Sequence, residues 1–189
     1  SLHDALPIWA FKTRDGVIWI STAQEHLLKV DPSPQNKLPH IRTGVPVFNF
    51  ADGDDQDLWL AIPNGLLHQD VNGGLKKIQF DRGPLSAVNI IQGIEKADKG
   101  MLWLASSTGL KLFDPSTHRI TGLPFFDART IDTLTRGASM IRKASDGELW
   151  IGTFQKGLVS LNTKNGKTRI FRHDPLDSNS VIDDHISAL

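Results

Sequence analysis

The sequence predicts an all-β fold, a partial β-propeller of four four-stranded antiparallel blades with the start of a fifth, and three observations predict it. Four tryptophans, Trp19, Trp59, Trp103 and Trp150, follow one another at intervals of 40, 44 and 47 residues. Each sits in a short apolar run, and each run is followed at a nearly fixed distance by a Gly-Leu pair or its stand-in, then by an Asp- or Asn-led turn. A period of about 40 to 50 residues holding four strand-length segments is the arithmetic of a propeller blade.

The Trp runs read VIWIS, DLWLA, MLWLA and ELWIG, with an aliphatic residue on either side of each indole: Ile18 and Ile20, Leu58 and Leu60, Leu102 and Leu104, Leu149 and Ile151. Continuous apolar runs of this length belong to strands buried on both faces, as between stacked blades. The indoles are therefore expected to pack blade against blade rather than to stack on a sugar, because large aromatics supply buried area. Three residues before the Trp stands Gly16, Gly100 or Gly147, with Gln56 as the exception, preceded by Asp15, Lys99, Asp146 or Asp55. Asp-Gly between apolar runs marks a tight hairpin whose two central residues take positive φ. Gly65-Leu66, Gly109-Leu110 and Gly157-Leu158 open the third strand, and His26-Leu27 holds that place in the first unit. The turns DPSPQN, DVNGG, DPSTH and NTKNG then close it, each rich in residues that bend the backbone. Fourth strands such as LKKIQF and TRIFR complete each unit.

The units span roughly residues 9–43, 44–83, 84–124 and 137–174, and 180–189 starts the next. Residues 1–8, SLHDALPI, match none of the repeats and look non-native, resembling a translated adapter scar. A chain that begins and ends within a repeat is expected to be an arc of a larger ring.

Composition narrows the partners. Lys plus Arg and Asp plus Glu both number 21, so the formal net charge is zero and nothing draws the whole surface toward nucleic acid. The absence of Cys removes disulfides, thiolate metal sites and cysteine nucleophiles. No apolar run reaches the roughly 20 residues of a membrane-spanning helix; membrane attachment is expected only through flanking segments.

The strings G-x-L-W-I-G-T-x-x-x-G-L at Gly147 to Leu158 and F-R-H-D-P-x-D-x-N-S at Phe171 to Ser180 resemble the two-component regulator propeller repeat. The second unit departs most, with Gln56 in place of Gly and Ile62-Pro63 where Thr stands in the pattern. The resemblance implies a ligand-sensing or interaction module in the periplasmic part of a bacterial inner-membrane receptor, whose output is a histidine kinase, a hybrid two-component system or a diguanylate cyclase. It also implies a homodimer formed through the whole receptor and a small ligand of unknown identity, with oligosaccharides as the class some such receptors bind. No cofactor, no metal and no catalytic residue is expected in this chain. The rivals are a propeller enzyme of the lactone-lyase type, which needs His and Glu converging on the central axis, and an intracellular scaffold for protein partners.

Seven histidines show no H-x-x-x-H or H-E-x-x-H spacing, and neither a Gly-x-Ser-x-Gly elbow nor a phosphate-binding glycine loop is present. His173-Asp174 and Asp184-His185 read as turn formers, and Asp52 to Asp57 as a solvated hairpin tip without the Gly and Glu of a calcium loop. Binding residues are expected on the loops between one blade's outer strand and the next blade's inner strand, since a rigid ring holds such loops around an opening. The candidates are Arg42, Arg82, Phe125, Phe126, Asp127, Arg129 and Arg136, which combine stacking area with directional charge. For Phe125 and Phe126 the competing expectation is that they pack their loop onto a blade.

Overall fold

The structure, a computed structural model, describes residues 7–12, 16–22, 26–30, 40–53, 57–80, 90–125, 127–144, 147–187 and 189. Sixteen strands form four antiparallel sheets of four, each in simple sequence order. The first sheet comprises β1 (Pro7–Lys12), β2 (Ile18–Thr22), β3 (His26–Val30) and β4 (His40–Arg42). The second comprises β5 (Asn49–Asp52), β6 (Leu58–Ile62), β7 (Gly65–Gln69) and β8 (Leu75–Gln79). The third is β9 (Ile91–Lys96), β10 (Leu102–Ser106), β11 (Gly109–Asp114) and β12 (Arg119–Thr121); the fourth is β13 (Ala138–Lys143), β14 (Glu148–Thr153), β15 (Leu158–Asn162) and β16 (Thr168–Phe171). These are the four blades that the tryptophan period predicts. β1 begins at Pro7, paired with Thr22, two residues before the boundary expected at residue 9.

Three core clusters lie between the blades, and all three follow one rule. Trp19 of the first blade packs with Leu58 and Leu60 of the second. Trp59 of the second packs with Leu102 and Leu104 of the third, and Trp103 of the third with Leu149 and Ile151 of the fourth. Each indole thus faces forward, and the aliphatic residues beside it face back. The forward-facing Trp19, Trp59 and Trp103 are 7%, 3% and 5% exposed, and the six backward-facing side chains are all buried. Burying each such aliphatic contributes roughly 1.5–3 kcal/mol, so the blades stabilise one another rather than folding as independent units. The first strands come together on the inside of the arc, β5 against β9 and β9 against β13.

The repeated glycines answer to close packing. A Cβ on Gly65 would stand 2.2 Å from the Ile78 carbonyl oxygen, and one on Gly157 would stand 2.1 Å from that of Phe171. Both carbonyls belong to the neighbouring fourth strand, so any side chain here forces that strand away. Gly109 takes φ +116 and Gly157 φ +78, values that favour glycine. In the one first hairpin whose two central residues are both described, Lys99 has φ 57 and Gly100 φ 71, as a tight primed turn requires.

Besides a 3-10 turn at Asp98–Gly100, the described residues include an α-helix. The connection between the third and fourth blades carries a seven-residue helix, α1 (Ala128–Leu134), where sequence reasoning places only a loop. Its Ile131 is 1% exposed and joins the core between those blades, with Leu134 packed beside it. A polar link follows: Leu110 N–H donates to Thr135 Oγ1, which itself donates to Ile131 O, each at 2.8 Å. At the opposite end of the sheets, Lys143 Nζ reaches Asp98 at 3.0 Å and Lys96 Nζ reaches Gly53 O at 3.0 Å, tying the fourth blade to the third and the third to the second.

Candidate functional site

In a blade whose strands alternate in direction, the loop joining the second and third strands emerges at the same end as the connection to the next blade. Here that end gathers residues 43–48, 63–64, 107–108, 122–125, 127–137, 154–157 and 172–185. Backbone hydrogen bonds knit it together within and between blades: Ser107 N to Ile90 O and Phe154 N to Gly137 O within the third and fourth, Gly137 N to Ser107 O between them, and Gly157 N to Asp184 O and Ile186 N to Thr153 O onto the segment that follows. Lys156 Nζ adds a donation of 2.6 Å to Thr133 O at the end of α1. The loop face is therefore a hydrogen-bonded surface.

Its most built portion is the segment from Arg172 to His185. Arg172 pairs with Asp184, its Nε donating to Asp184 Oδ2 at 2.9 Å, while Asp184 Oδ1 accepts His173 N–H at 2.9 Å. His173 Nδ1 donates to Val181 O at 2.9 Å, and the residue is exposed. Asp174 Oδ1 accepts Leu176 N–H, and Asp177 Oδ1 accepts Asn179 N–H, two side-chain-capped turns in succession. Ser180 Oγ accepts Asp174 N–H and donates back to Asp174 O. The string that carries the family resemblance is thus a loop that supplies its own internal bonds. The Arg172 guanidinium holds the Asp184 carboxyl below the usual carboxylate range, helped by the His173 amide, and Asp184 holds Arg172 above its ordinary value in return. Arg172 is exposed and Asp184 half-buried at the surface, so solvent screens the pair and its contribution to stability is small.

This segment encloses an open cleft of ≈ 540 Å³ whose walls include Phe171, Arg172, His173, Asp177 and Asn179. Beside it Phe154, 38% exposed, meets the His185 ring edge-on at 5.4 Å. Two apolar tips, Leu176 at 95% and Ile182 at 93% exposure, project from the same loop. The chemistry on offer is that of binding: exposed carboxylates at Asp174 and Asp177, the exposed His173 ring and aromatic edges, with Asn179 Nδ2 donating to Asp177 Oδ1 at 3.3 Å. Ser180, the hydroxyl in the cleft wall, is engaged on both sides by Asp174 rather than presented to a base.

The residues expected at the site are spread along the face. Arg42 is exposed at the end of β4, Asp127 is exposed at the start of α1 without a capping bond from its side chain, and Arg136 is exposed just after the helix. Phe125 is half-buried: its ring lies parallel to Trp103 at 6.3 Å and abuts Gly166. That is packing of the loop onto its blade. Arg129 lies in α1 with its side chain outside the described residues, and Arg82 and Phe126 lie outside them altogether. Of the carboxylate run, Asp54 to Gln56 are likewise outside, while Asp57 accepts a 2.6 Å hydrogen bond from His68 Nε2. His68 in turn stacks on Trp59, with centroids 4.3 Å apart. Sequence reasoning missed the Arg172–Asp184 pair, Phe154 and Lys156; the F-R-H-D-P string held the one signal, which reads as turn chemistry alone. Among the described residues, no three His, Asp or Glu side chains gather closely enough to hold a metal ion.

No family model and no curated protein matches the chain in sequence. Solved structures share its fold. The extracellular domain of a putative hybrid two-component system from B. thetaiotaomicron superimposes with a TM-score of 0.69 at 19% identity, over 96% of this chain and 24% of that one. Virginiamycin B lyase from Staphylococcus aureus gives 0.67 at 15% identity, over 92% and 57%. A WD40 domain from Neurospora crassa gives 0.64 at 13%, over 90% and 51%. The chain thus spans between a quarter and somewhat over half of each of these structures, and the likeness is one of fold: an arc of a β-propeller.

Proposed function

We propose that this arc is a recognition module, part of the sensing region of a bacterial two-component receptor, and that it carries out no reaction of its own. The observation that carries the reading is the Arg172 to His185 loop. Its hydroxyl and one face of its carboxylates are spent on holding the loop's shape, and what remains outward suits a polar ligand or a protein partner. The resemblance of the Gly147 to Leu158 and Phe171 to Ser180 strings to the two-component regulator propeller repeat supports the receptor context. So does the shared fold with the extracellular domain of a hybrid two-component system. In this reading, binding on the loop face alters how the propeller packs in the receptor homodimer. The ligand acts through its differential affinity for the two receptor states. Oligosaccharides are the first ligands to test, on a periplasmic ectodomain. Isothermal calorimetry of the complete ectodomain against an oligosaccharide panel is expected to give saturable heat with at least one member, weakened in Arg172→Ala and Asn179→Ala. Absence of heat and of any thermal shift across the panel would argue instead for a scaffold with protein partners.

A lyase reading draws on the shared fold with virginiamycin B lyase. It asks for His and Glu at equivalent places on the inner strands, where β5, β9 and β13 read NFAD, IQGIEK and ASMIRK, with one Glu and no His. Incubation of the ectodomain with virginiamycin B separates the two readings: product formation supports the lyase, and intact substrate supports the recognition module.

A further inference from the structure

Opposite its tryptophan, each blade's third strand places a different residue: Lys29 in the first, His68 in the second, Leu112 in the third and Ser160 in the fourth. Only the second blade sets an imidazole there. The third blade, with Leu112 in that place and Met101 two residues before its Trp, shows that the fold needs no polar group at either position. The second blade has His68 and Asp57 instead, both half-buried. His68 Nε2 lies 2.6 Å from Asp57 Oδ2, and the ring stacks on Trp59 with centroids 4.3 Å and planes 17° apart. Trp59 in turn meets Phe113 of the third blade edge-on at 5.6 Å. Contacts therefore run without a break from the carboxylate, through the imidazole and the indole, into the junction between the second and third blades. The second blade is flanked by described blades on both faces, so this geometry is not that of a terminal blade.

We propose that His68 and Asp57 form a proton-operated clasp on this junction, which packs the second blade more tightly against the third when His68 is doubly protonated and Asp57 ionised. The carboxylate is held in place: Gly53 N–H donates to Asp57 O at 3.0 Å, and a Cβ on Gly53 would overlap Asp57 Oδ1. That oxygen is buried without a partner, which leaves His68 as the donor to this side chain among the described residues. The second ring proton sets a positive charge between a carboxylate and the face of an indole, and both attract it. Its loss leaves Trp59 stacked on an uncharged ring. The other charges nearby are few. Lys76, the register partner of His68 on β8, is exposed, so solvent screens it. Lys96 of the third blade directs its Nζ to Gly53 O, and β11 and β12 bring the uncharged Phe113 and Ile120 to the junction. Asp52 ends β5 at the start of the same hairpin, and Asp54 and Asp55 lie outside the described residues. Histidine suits the task because it is the side chain that ordinarily changes charge between about pH 5 and 8. The clasp needs no ligand on the loop face.

The test follows the full chain by tryptophan emission and by thermal denaturation. An imidazolium stacked on an indole quenches its fluorescence, so emission is expected to fall reversibly from about pH 8 to 5. That fall is expected to be lost in Trp59→Phe and in His68→Gln. The melting temperature reads the junction itself. Relative to His68→Phe, which keeps a ring on Trp59 without the charge, the wild type is expected to gain about 1–3 °C as pH is lowered over the same range. Asp57→Asn keeps the imidazole and removes its charged partner, and is expected to lose that gain. A difference between wild type and His68→Phe that stays flat with pH overturns the proposal, as does a fall in emission that survives in His68→Gln. Should far-UV circular dichroism show that the His68 variants do not fold, Asp57→Asn decides alone: a pH response equal to that of the wild type overturns the clasp, and a diminished one supports it.

Discussion

The second and fourth blades share one topology and solve the same local problem differently. In the fourth, Thr153 follows the Trp strand, donates to Gly157 O and accepts Lys156 N–H, both at 2.8 Å, so its hydroxyl pins the loop into β15. In the third, Ser106 does the same with Gly109 O and Thr108 N–H. The second blade puts Ile62 there, fully buried and pairing with Gly65 across a two-residue turn in which Asn64 takes φ 63. An apolar plug replaces a polar pin and the blade still forms. The difference shows elsewhere: Asn49 Nδ2, Asp57 Oδ1 and Gln69 Oε1, all in the second blade, are buried without a hydrogen-bond partner, and no such atom occurs among the described residues of the third and fourth. What sets the blade is therefore the indole, its aliphatic neighbours and the crowded glycine; the hydroxyl pin refines one loop.

Substitutions can break this comparison, and the largest effect is expected at the glycines. Gly157→Ala meets both a positive φ and the Phe171 carbonyl, and is expected to cost about 1–3 kcal/mol or more in thermal or urea denaturation. Gly65→Ala meets the crowding alone. Next comes Thr153→Val, which removes two hydrogen bonds around a buried hydroxyl and is expected to cost about 1–2 kcal/mol. Ile62→Val, at the same place in the second blade, is expected to cost about 0.5–1.5 kcal/mol by loss of one methylene. In the opposite direction, Gln69→Met removes a buried unpartnered oxygen at nearly constant shape and is expected to raise stability by up to about 1 kcal/mol; a lowered melting temperature would show that Gln69 has a bond that matters.

The smallest effect lies at the seam between the third and fourth blades. Burial pushes the Glu95 carboxyl above its ordinary value, against the opposing pull of Arg142, 4.0 Å away, and of the backbone amides of Lys143 and Lys96. An acid raised in the folded state prefers to be protonated there, so its ionisation works against folding as pH climbs above the ordinary carboxylate value. Glu95→Gln is therefore expected to raise the melting temperature by about 1–3 °C near neutral pH, with the gain fading below the ordinary Glu range, where both proteins are uncharged at this site. A gain that is flat with pH would assign the effect to packing instead.

Sequence reasoning reached most of the fold because its signals repeat. Trp19, Trp59, Trp103 and Trp150 recur with the same neighbours, and a pattern that must satisfy the same junction several times announces itself. α1 did not, since one buried Ile131 with Leu134 beside it is too short a helical stripe to stand out from a loop. The site was less legible for a related reason. Arg172 and Asp184 stand twelve residues apart in a segment with no period, and Lys156 meets a backbone oxygen of α1, in the connection that precedes its blade, so neither contact leaves a trace in spacing. Phe125 illustrates the converse: an aromatic in a loop invites a binding role, and its parallel placement over Trp103 is visible only once the chain is folded.

The loop from Arg172 to His185 fastens its own backbone with side chains set well back from its tips. Leu176 and Ile182 take no share in that fastening through their side chains and stand almost wholly in solvent. Exchange at those two positions can then rewrite what the surface greets while the scaffold beneath keeps its form, and an incoming molecule meets a contour already settled, with little freedom left to surrender on contact.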